Sequence, residues 1–214
     1  MALLHRAELR PSKIELISFW APTQPWFVGD ATAPLTNIAS FRFDDPDGEV
    51  GIETIIVRVG TGPLVQVPLT YRGAPLDSAA ESLIGTMDHS VLGRRWVYDA
   101  TGDPVYLAAV AAAAFTGGDQ AEEYFEVDGE RVLRQSSARV HGSGYVGAAV
   151  PEVVGAISPR HGIGTTEIES GNLRIVVARV LDPAVTPAAG AQHSLAGTWA
   201  GQDDPRPLVW VSVD

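Results

Sequence analysis

The sequence contains no cysteine and a single lysine, Lys13. Without cysteine there can be no disulfide framework, no thiolate nucleophile and no thiolate metal site. Positive charge is scarce: 15 basic residues face 26 acidic ones, for a formal charge of −11. A balance of that sign opposes contact with phosphate backbones and anionic lipid, which excludes nucleic acid and membrane surfaces as expected partners. No apolar run approaches the roughly 20 residues of a membrane-spanning helix, the longest candidate being residues 105–115. The opening residues Met1-Ala2-Leu3-Leu4-His5-Arg6 become charged too early for a secretory h-region. The expected location is the cytoplasm.

A chain of 214 residues can bury one large core or two small ones. Pro11-Ser12-Lys13 opens a segment in which Ile14, Leu16, Ile17, Phe19 and Trp20 crowd together, which predicts a short helix stopped by Pro22 and Pro25. Trp26 and Phe27 then read as a hydrophobic plug against a sheet. From residue 38 the pattern changes to alternating runs at 38–43, 51–59 and 64–71, separated by Asp44-Asp45-Pro46-Asp47-Gly48 and Gly60-Thr61-Gly62-Pro63. Such clusters are turn chemistry between antiparallel strands. With further strands at 82–88 and 94–98, the first half reads as a curved sheet of about five strands.

Asp103-Pro104 starts the clearest helix: Asp103 can cap free amides, Pro104 suits the first turn, and Gly117-Gly118 ends the Ala-rich stretch. So little polar surface implies burial on most sides, across the concave face of the sheet. Strand patterns return at 122–127, 131–140, 167–170, 173–181 and 207–213, with Asp128-Gly129 as a hairpin signal, a loose stretch at 141–155 and a Pro/Ala/Gly linker at 182–191. Exposed edges at 64–71 or 207–213 would allow a homodimer.

Candidate chemistry is sparse. Of the histidines at 5, 89, 141, 161 and 193, none has a partner at metal-ligand spacing, so Met87-Asp88-His89-Ser90 reads as a polar turn. Gly142-Ser143-Gly144 lacks the surroundings of a nucleophile elbow or phosphate loop and reads as a plain loop. In Arg94-Arg95-Trp96, Arg94 and Trp96 share one strand face and Arg95 takes the other, and the arginines are expected to pair with Asp88 and Asp99. Glu122-Glu123 and Asp203-Asp204 read as solvated turns. No catalytic, cofactor-binding or metal-ligating residue is expected.

Gln66-Val67-Pro68-Leu69, Leu83-Ile84-Gly85-Thr86, Gly93-Arg94-Arg95-Trp96-Val97-Tyr98-Asp99-Ala100 and Asp103-Pro104, with the helix before Pro25-Trp26-Phe27, resemble the cap domain preceding the kinase lobes of maltokinase and related actinobacterial aminosugar kinases. That resemblance implies a cystatin-like cap, a curved antiparallel sheet holding a helix. Residues 161–169 and 173–182 are similar to the family's small kinase lobe, which places the nucleotide-binding lysine at Val176. A valine cannot present a cation to phosphate oxygens, and Lys13 stands outside that region. The large lobe supplying the catalytic carboxylate and magnesium ligands is also expected to be missing.

The expectation is therefore an α+β chain: a cap-like domain over 1–118, then a mostly-β domain over 119–214 resembling a degenerate kinase small lobe. The expected function is a non-catalytic interaction or regulatory module with a protein partner and no cofactor. The alternative is a small-molecule binder, for a sugar or nucleotide, using the concave face beside the alanines of residues 108–114.

Overall fold

The computed structural model describes residues 2–4, 7–127, 130–181 and 189–213, with the backbone alone for 2–4 and 127. The strands are, in chain order, β1 (Ala2–Leu4), β2 (Leu9–Arg10), β3 (Leu35–Phe43), β4 (Gly51–Val59), β5 (Leu64–Arg72), β6 (Leu83–His89), β7 (Gly93–Asp99), β8 (Glu123–Val127), β9 (Glu130–Arg134), β10 (Ala138–Gly142), β11 (Arg160–Gly162), β12 (Thr165–Ser170), β13 (Leu173–Ala178), β14 (His193–Trp199) and β15 (Gln202–Val213). Two α-helices join them, α1 (Lys13–Trp20) and α2 (Pro104–Thr116). The class is α+β, dominated by antiparallel sheet. The first sheet has the order β2-β6-β7-β5-β4-β3, the second β10-β14-β15-β13-β12-β11, and a small third sheet β1-β8-β9.

Local chemistry explains the helices. Ser12 accepts from the Glu15 amide while the Glu15 carboxylate accepts from the Ser12 amide, a reciprocal cap that starts α1. Pro22 then carries the chain into a single 3₁₀ turn, Ala21–Thr23. Ile17 is buried under the first sheet, whereas Phe19 is 82% exposed, which corrects the expectation that it joins the apolar side. At α2 the Asp103 carboxylate accepts from the Val105 amide, and Gly117 closes the helix at φ 68°.

Helix α2 has no polar face because it lies between two sheets. Leu107, Val110, Ala111 and Ala114 are buried in one core with Phe41, Phe43, Ile52 and Ile56 of the first sheet and Val140, Leu195, Val209 and Val211 of the second. A separate core on the other face of the first sheet holds Ile17, Trp26, Ile55, Val57, Val65, Val67 and Leu69. β4 and β5 feed both cores by alternation, since successive side chains leave opposite faces.

The Gly142-Ser143-Gly144 loop ends α2. Its backbone supplies donors for orphan carbonyls of the last turn: the Gly144 amide to Ala114 O at 2.9 Å and the Tyr145 amide to Phe115 O at 3.0 Å. A Cβ on Gly144 would lie 1.8 Å from Phe115 O, and one on Gly142 would lie 1.9 Å from Ala113 O. Backbone on both sides leaves little room to relax. Gly144→Ala is therefore expected to cost about 2–3 kcal/mol, the upper part of the overpacking range, read as a lower urea midpoint.

Three expectations are corrected. β5 and β15 are interior strands rather than edges: β5 lies between β4 and β7, and β15 between β14 and β13. The free half of β5 is covered as well, because Leu181 N donates to Leu64 O and Gln66 N to Arg179 O, each at 2.9 Å. The single run expected at 131–140 is two strands, β9 and β10, in different sheets. The Asp128-Gly129 turn lies outside the described residues, as does most of the 182–191 linker; β8 and β9, which flank that turn, do pair antiparallel.

Candidate functional site

Residues from the segments 161–169 and 173–182 lie at the junction between the two large sheets. β13 runs through the middle of the second sheet and delivers Arg179 directly after its last residue. Arg179 has no exposed surface. Its Nη2 donates to both Asp99 carboxylate oxygens, at 2.8 and 2.6 Å, and to Thr101 Oγ1 at 3.0 Å, while Nε donates to Thr166 Oγ1 at 2.8 Å. The guanidinium carbon lies 4.6 Å from the centroid of the Trp26 ring, a cation–π contact. Arg179 Nη1 and Trp26 Nε1 are buried without an acceptor among the described residues.

The surrounding backbone is equally committed. Asp99 ends β7, and the 3₁₀ turn Ala100–Gly102 hands the chain to Asp103. Asp103 receives Thr70 Oγ1 at 2.8 Å and the Arg72 guanidinium twice at 2.7 Å, so β5 fixes where α2 starts. The Gln66 side-chain amide, 2% exposed, donates to Ala178 O at 2.7 Å and Leu208 O at 2.6 Å. It thereby ties β5 to two strands of the second sheet.

The glycine-bearing segment His161–Thr166 is a tight hairpin. Gly162 pairs with Thr165, leaving Ile163 and Gly164 as the turn, and Gly164 O accepts from the Arg179 and Val180 amides at 2.8 and 3.1 Å. His161 meets Thr166 Oγ1 at 3.0 Å. Burial pushes its imidazole below the ordinary value, Asp99 pulls it up, and Arg179 pushes it down again. Val176, where the resemblance places the nucleotide lysine, is 8% exposed, pairs with Glu167 and Trp210, and packs in the shared core.

Trp26 proves to be the plug read from sequence: it is fully buried, 5.5 Å from the Trp20 ring and 6.5 Å from that of Phe27. Arg94 pairs with Asp88 at 3.7 Å as expected. Arg95 does not meet Asp99, whose carboxylate is taken by Arg179; it lines a cavity of about 460 Å³ beside Lys13, Arg42 and Tyr71. Glu123 is also corrected, being buried against Arg134 at 3.3 Å, with burial raising its carboxyl above the ordinary value. Glu122 accepts from the Tyr124 hydroxyl, and Asp203 and Asp204 are exposed within β15 rather than in a turn.

Of the histidines, His89 Nδ1 accepts from the Val91 and Leu92 amides, His141 pairs with Asp119 at 2.8 Å, and His193 packs on Phe115. His5 lies outside the described residues. Among the described residues no group of three potential ligands gathers around a metal position. None of their helices is long and apolar enough to cross a membrane. Ala111 and Ala114, expected to leave space for a ligand, are wholly buried in the core that α2 shares with both sheets.

The first sheet is six-stranded and antiparallel throughout, and its last strand leads through a 3₁₀ turn to the capped helix α2. Residues 20–103 match the family model of the maltokinase N-terminal cap domain, the family that the motifs of this stretch resemble. The match runs from the last residue of α1 to the residue that caps α2. A comparison of the chain with curated proteins found no match.

Proposed function

We propose that the chain is a non-catalytic interaction or regulatory module related to the N-terminal part of maltokinase-like sugar kinases, serving a protein partner in trehalose, maltose or aminosugar metabolism. The cap, cystatin-like in this reading, comprises residues 1–118, and residues 119–214 derive from a kinase small lobe that has lost its nucleotide site. The observation carrying the proposal is the state of β13. Its Val176 is core, and Arg179, the cation just beyond it, is spent on Asp99 and Thr101 of the cap. A strand whose chemistry is turned inward to hold two sheets together cannot also present charge to a nucleotide.

A protein partner is supported by the loop after Gly144. Tyr145 and Val146 are 69% and 93% exposed although the loop is anchored to Phe115 O, and ordered exposed apolar side chains mark docking surfaces. The reading places the module in the cytoplasm and leaves a second copy of the chain among the partners. The purified chain is expected neither to retain magnesium-ATP in equilibrium dialysis nor to phosphorylate maltose. Affinity capture from the native host is expected to recover a defined partner that the double variant Tyr145→Ser/Val146→Ser loses. Sugar-dependent ATP turnover by the pure chain, or no partner under mild conditions, would count against the proposal.

A further inference from the structure

The third sheet ends in β9, and its residues Glu130–Arg134 are all exposed. Among the described residues no strand pairs with its outer side. The other sheet ends are shorter or covered. β2 has two residues, and β1 and β11 have three each. β10 is covered by the chain at 118–120, since Gly142 N donates to Gly118 O and Gln120 N to Val140 O. β3 is bulged between Asn37 and Ala39 and covered further along, where Ala121 N donates to Arg42 O and Ser40 N to Ser137 Oγ. β9 has no proline, no lysine and no register shift against β8, three devices that keep sheet edges apart. It shows apolar side chains on both faces instead, with Val132 48% and Leu133 54% exposed.

The pairing of β8 with β9 decides which way the backbone faces. Residues 128 and 129 alone separate Val127 from Glu130, which pair across the hairpin. A two-residue connection is closed by a hydrogen-bonded pair, and such pairs alternate, so Phe125–Val132 and Glu123–Arg134 are hydrogen-bonded as well. The N–H and C=O of Leu133 therefore point away from β8, and a strand added antiparallel has to meet Leu133 at a hydrogen-bonded position.

A second copy of β9 does so about a two-fold axis through Val132, which sets Leu133 opposite Arg131 of the other copy. On one face this register places Glu130 of each copy directly across from Arg134 of the other, with the two Val132 side chains between. Opposite charges and β-branched pairs directly across a ladder are favourable. The neighbouring symmetric registers lose this: an axis through Arg131 sets like charges face to face, and an axis through Leu133 sets Val132 against Arg134. Arg134 can serve two acids. Its Nη1 reaches Glu123 at 3.3 Å, its side chain stays 49% exposed, and the guanidinium fork carries further donors.

We infer that β9 is a self-association edge: two copies of this chain pair antiparallel through Glu130–Arg134, joining two three-stranded sheets into one of six strands in the order β1-β8-β9-β9-β8-β1. The dimer is independent of the partner read from Tyr145 and Val146, and either stands if the other fails. An edge this short makes a small interface, so the dimer is weak and forms as concentration rises.

Sedimentation equilibrium of the full chain is expected to shift from 22.7 kDa in dilute solution towards twice that mass by about 100 µM. Leu133→Pro removes an N–H that faces outward, where a sheet edge accepts proline, and is expected to abolish the shift while far-ultraviolet dichroism and the urea midpoint stay unchanged. Glu130→Arg sets arginine against arginine twice about the axis and is expected to weaken association at least about tenfold. The chain has no cysteine, so one introduced thiol reports on the register. Val132→Cys, whose side chains meet on the axis at a non-hydrogen-bonded pair, is expected to oxidise to a disulfide-linked dimer. Leu133→Cys, which faces Arg131 instead, is expected to remain monomeric over the same time. A chain that stays monomeric throughout this range, a dimer indifferent to either Leu133→Pro or Glu130→Arg, or equal crosslinking by the two cysteines would each overturn the inference.

Discussion

Replacing Arg179 with methionine is expected to lower the unfolding free energy by about 3–5 kcal/mol, the range for removing one partner of a buried ion pair. The methylene stem is kept, so the loss is that of the charge and its bonds. Asp99, 2% exposed, would remain a buried carboxylate with the Thr101 amide at 3.2 Å as its one hydrogen-bond donor among the described residues, and Thr166 would lose its guanidinium contact. Asp99→Leu should cost a comparable amount, because it strands the guanidinium instead. The pair need not be the most stable solution: two buried donors stay open beside it, and an apolar pair of like volume could stabilise as well. Arg179→Met/Asp99→Leu should therefore recover much of the single-variant loss. Urea denaturation of the four proteins as a double-mutant cycle measures the coupling. Additive losses would mean that the pair holds the sheets together only incidentally.

The elements written in local chemistry were legible from sequence. Asp103-Pro104 and Gly117 set α2 to within a residue, and the turn clusters around residues 44–48 and 60–63 bounded β4 where the structure has it. What escaped had weak or nonlocal causes. β14 alternates buried Leu195, Gly197 and Trp199, but its small residues carry little strand propensity, so nothing local marks it. β1, β2 and β11 have three residues or fewer, too short for any period. The run from 131 to 140 looked continuous, yet Ser136 and Ser137 bond to the backbone of Ser40 and turn the chain from one sheet to another. That contact spans almost a hundred positions, and no window along the sequence contains it.

The functional residues divide the same way. Val176 and the segment 161–169 were singled out through the family resemblance alone, and Trp26 through its Pro-bounded setting. Arg179 was visible as a residue but not as the partner of Asp99, 80 positions away. Glu53 was missed entirely. On β4 it occupies a position that alternates with Ile52 and Thr54, and an acid in a buried strand reads as an interruption until Lys13 and Tyr71 are brought to it by tertiary structure. A charged residue inside an apolar strand is the signal that could have prompted a search for its counter-ion.

Glu53→Gln is the second large effect, expected at about 3 kcal/mol, the low end for a buried pair because Lys13 still reaches solvent. Burial by itself raises the Glu53 carboxyl. The charges of Lys13 and Arg42, with hydrogen bonds from Lys13 and Tyr71, outweigh burial and bring it below the ordinary value of 4.5. A carboxyl lowered on folding binds fewer protons in the native state than in the unfolded state. Its stabilisation is thus present above pH 4.5 and is lost as the pH falls through the native value. Tyr71 moves the other way, raised well above the ordinary phenol range by burial and by Glu53, and so stays a donor at every pH where the fold is measured. Urea midpoints followed from neutral pH into the acid range should fall for the unaltered chain, and this limb should flatten in Glu53→Gln while the limb from the other carboxylates persists. An unchanged acid limb in a variant that is also as stable as the parent would mean that Lys13 and Arg42 do not depend on Glu53.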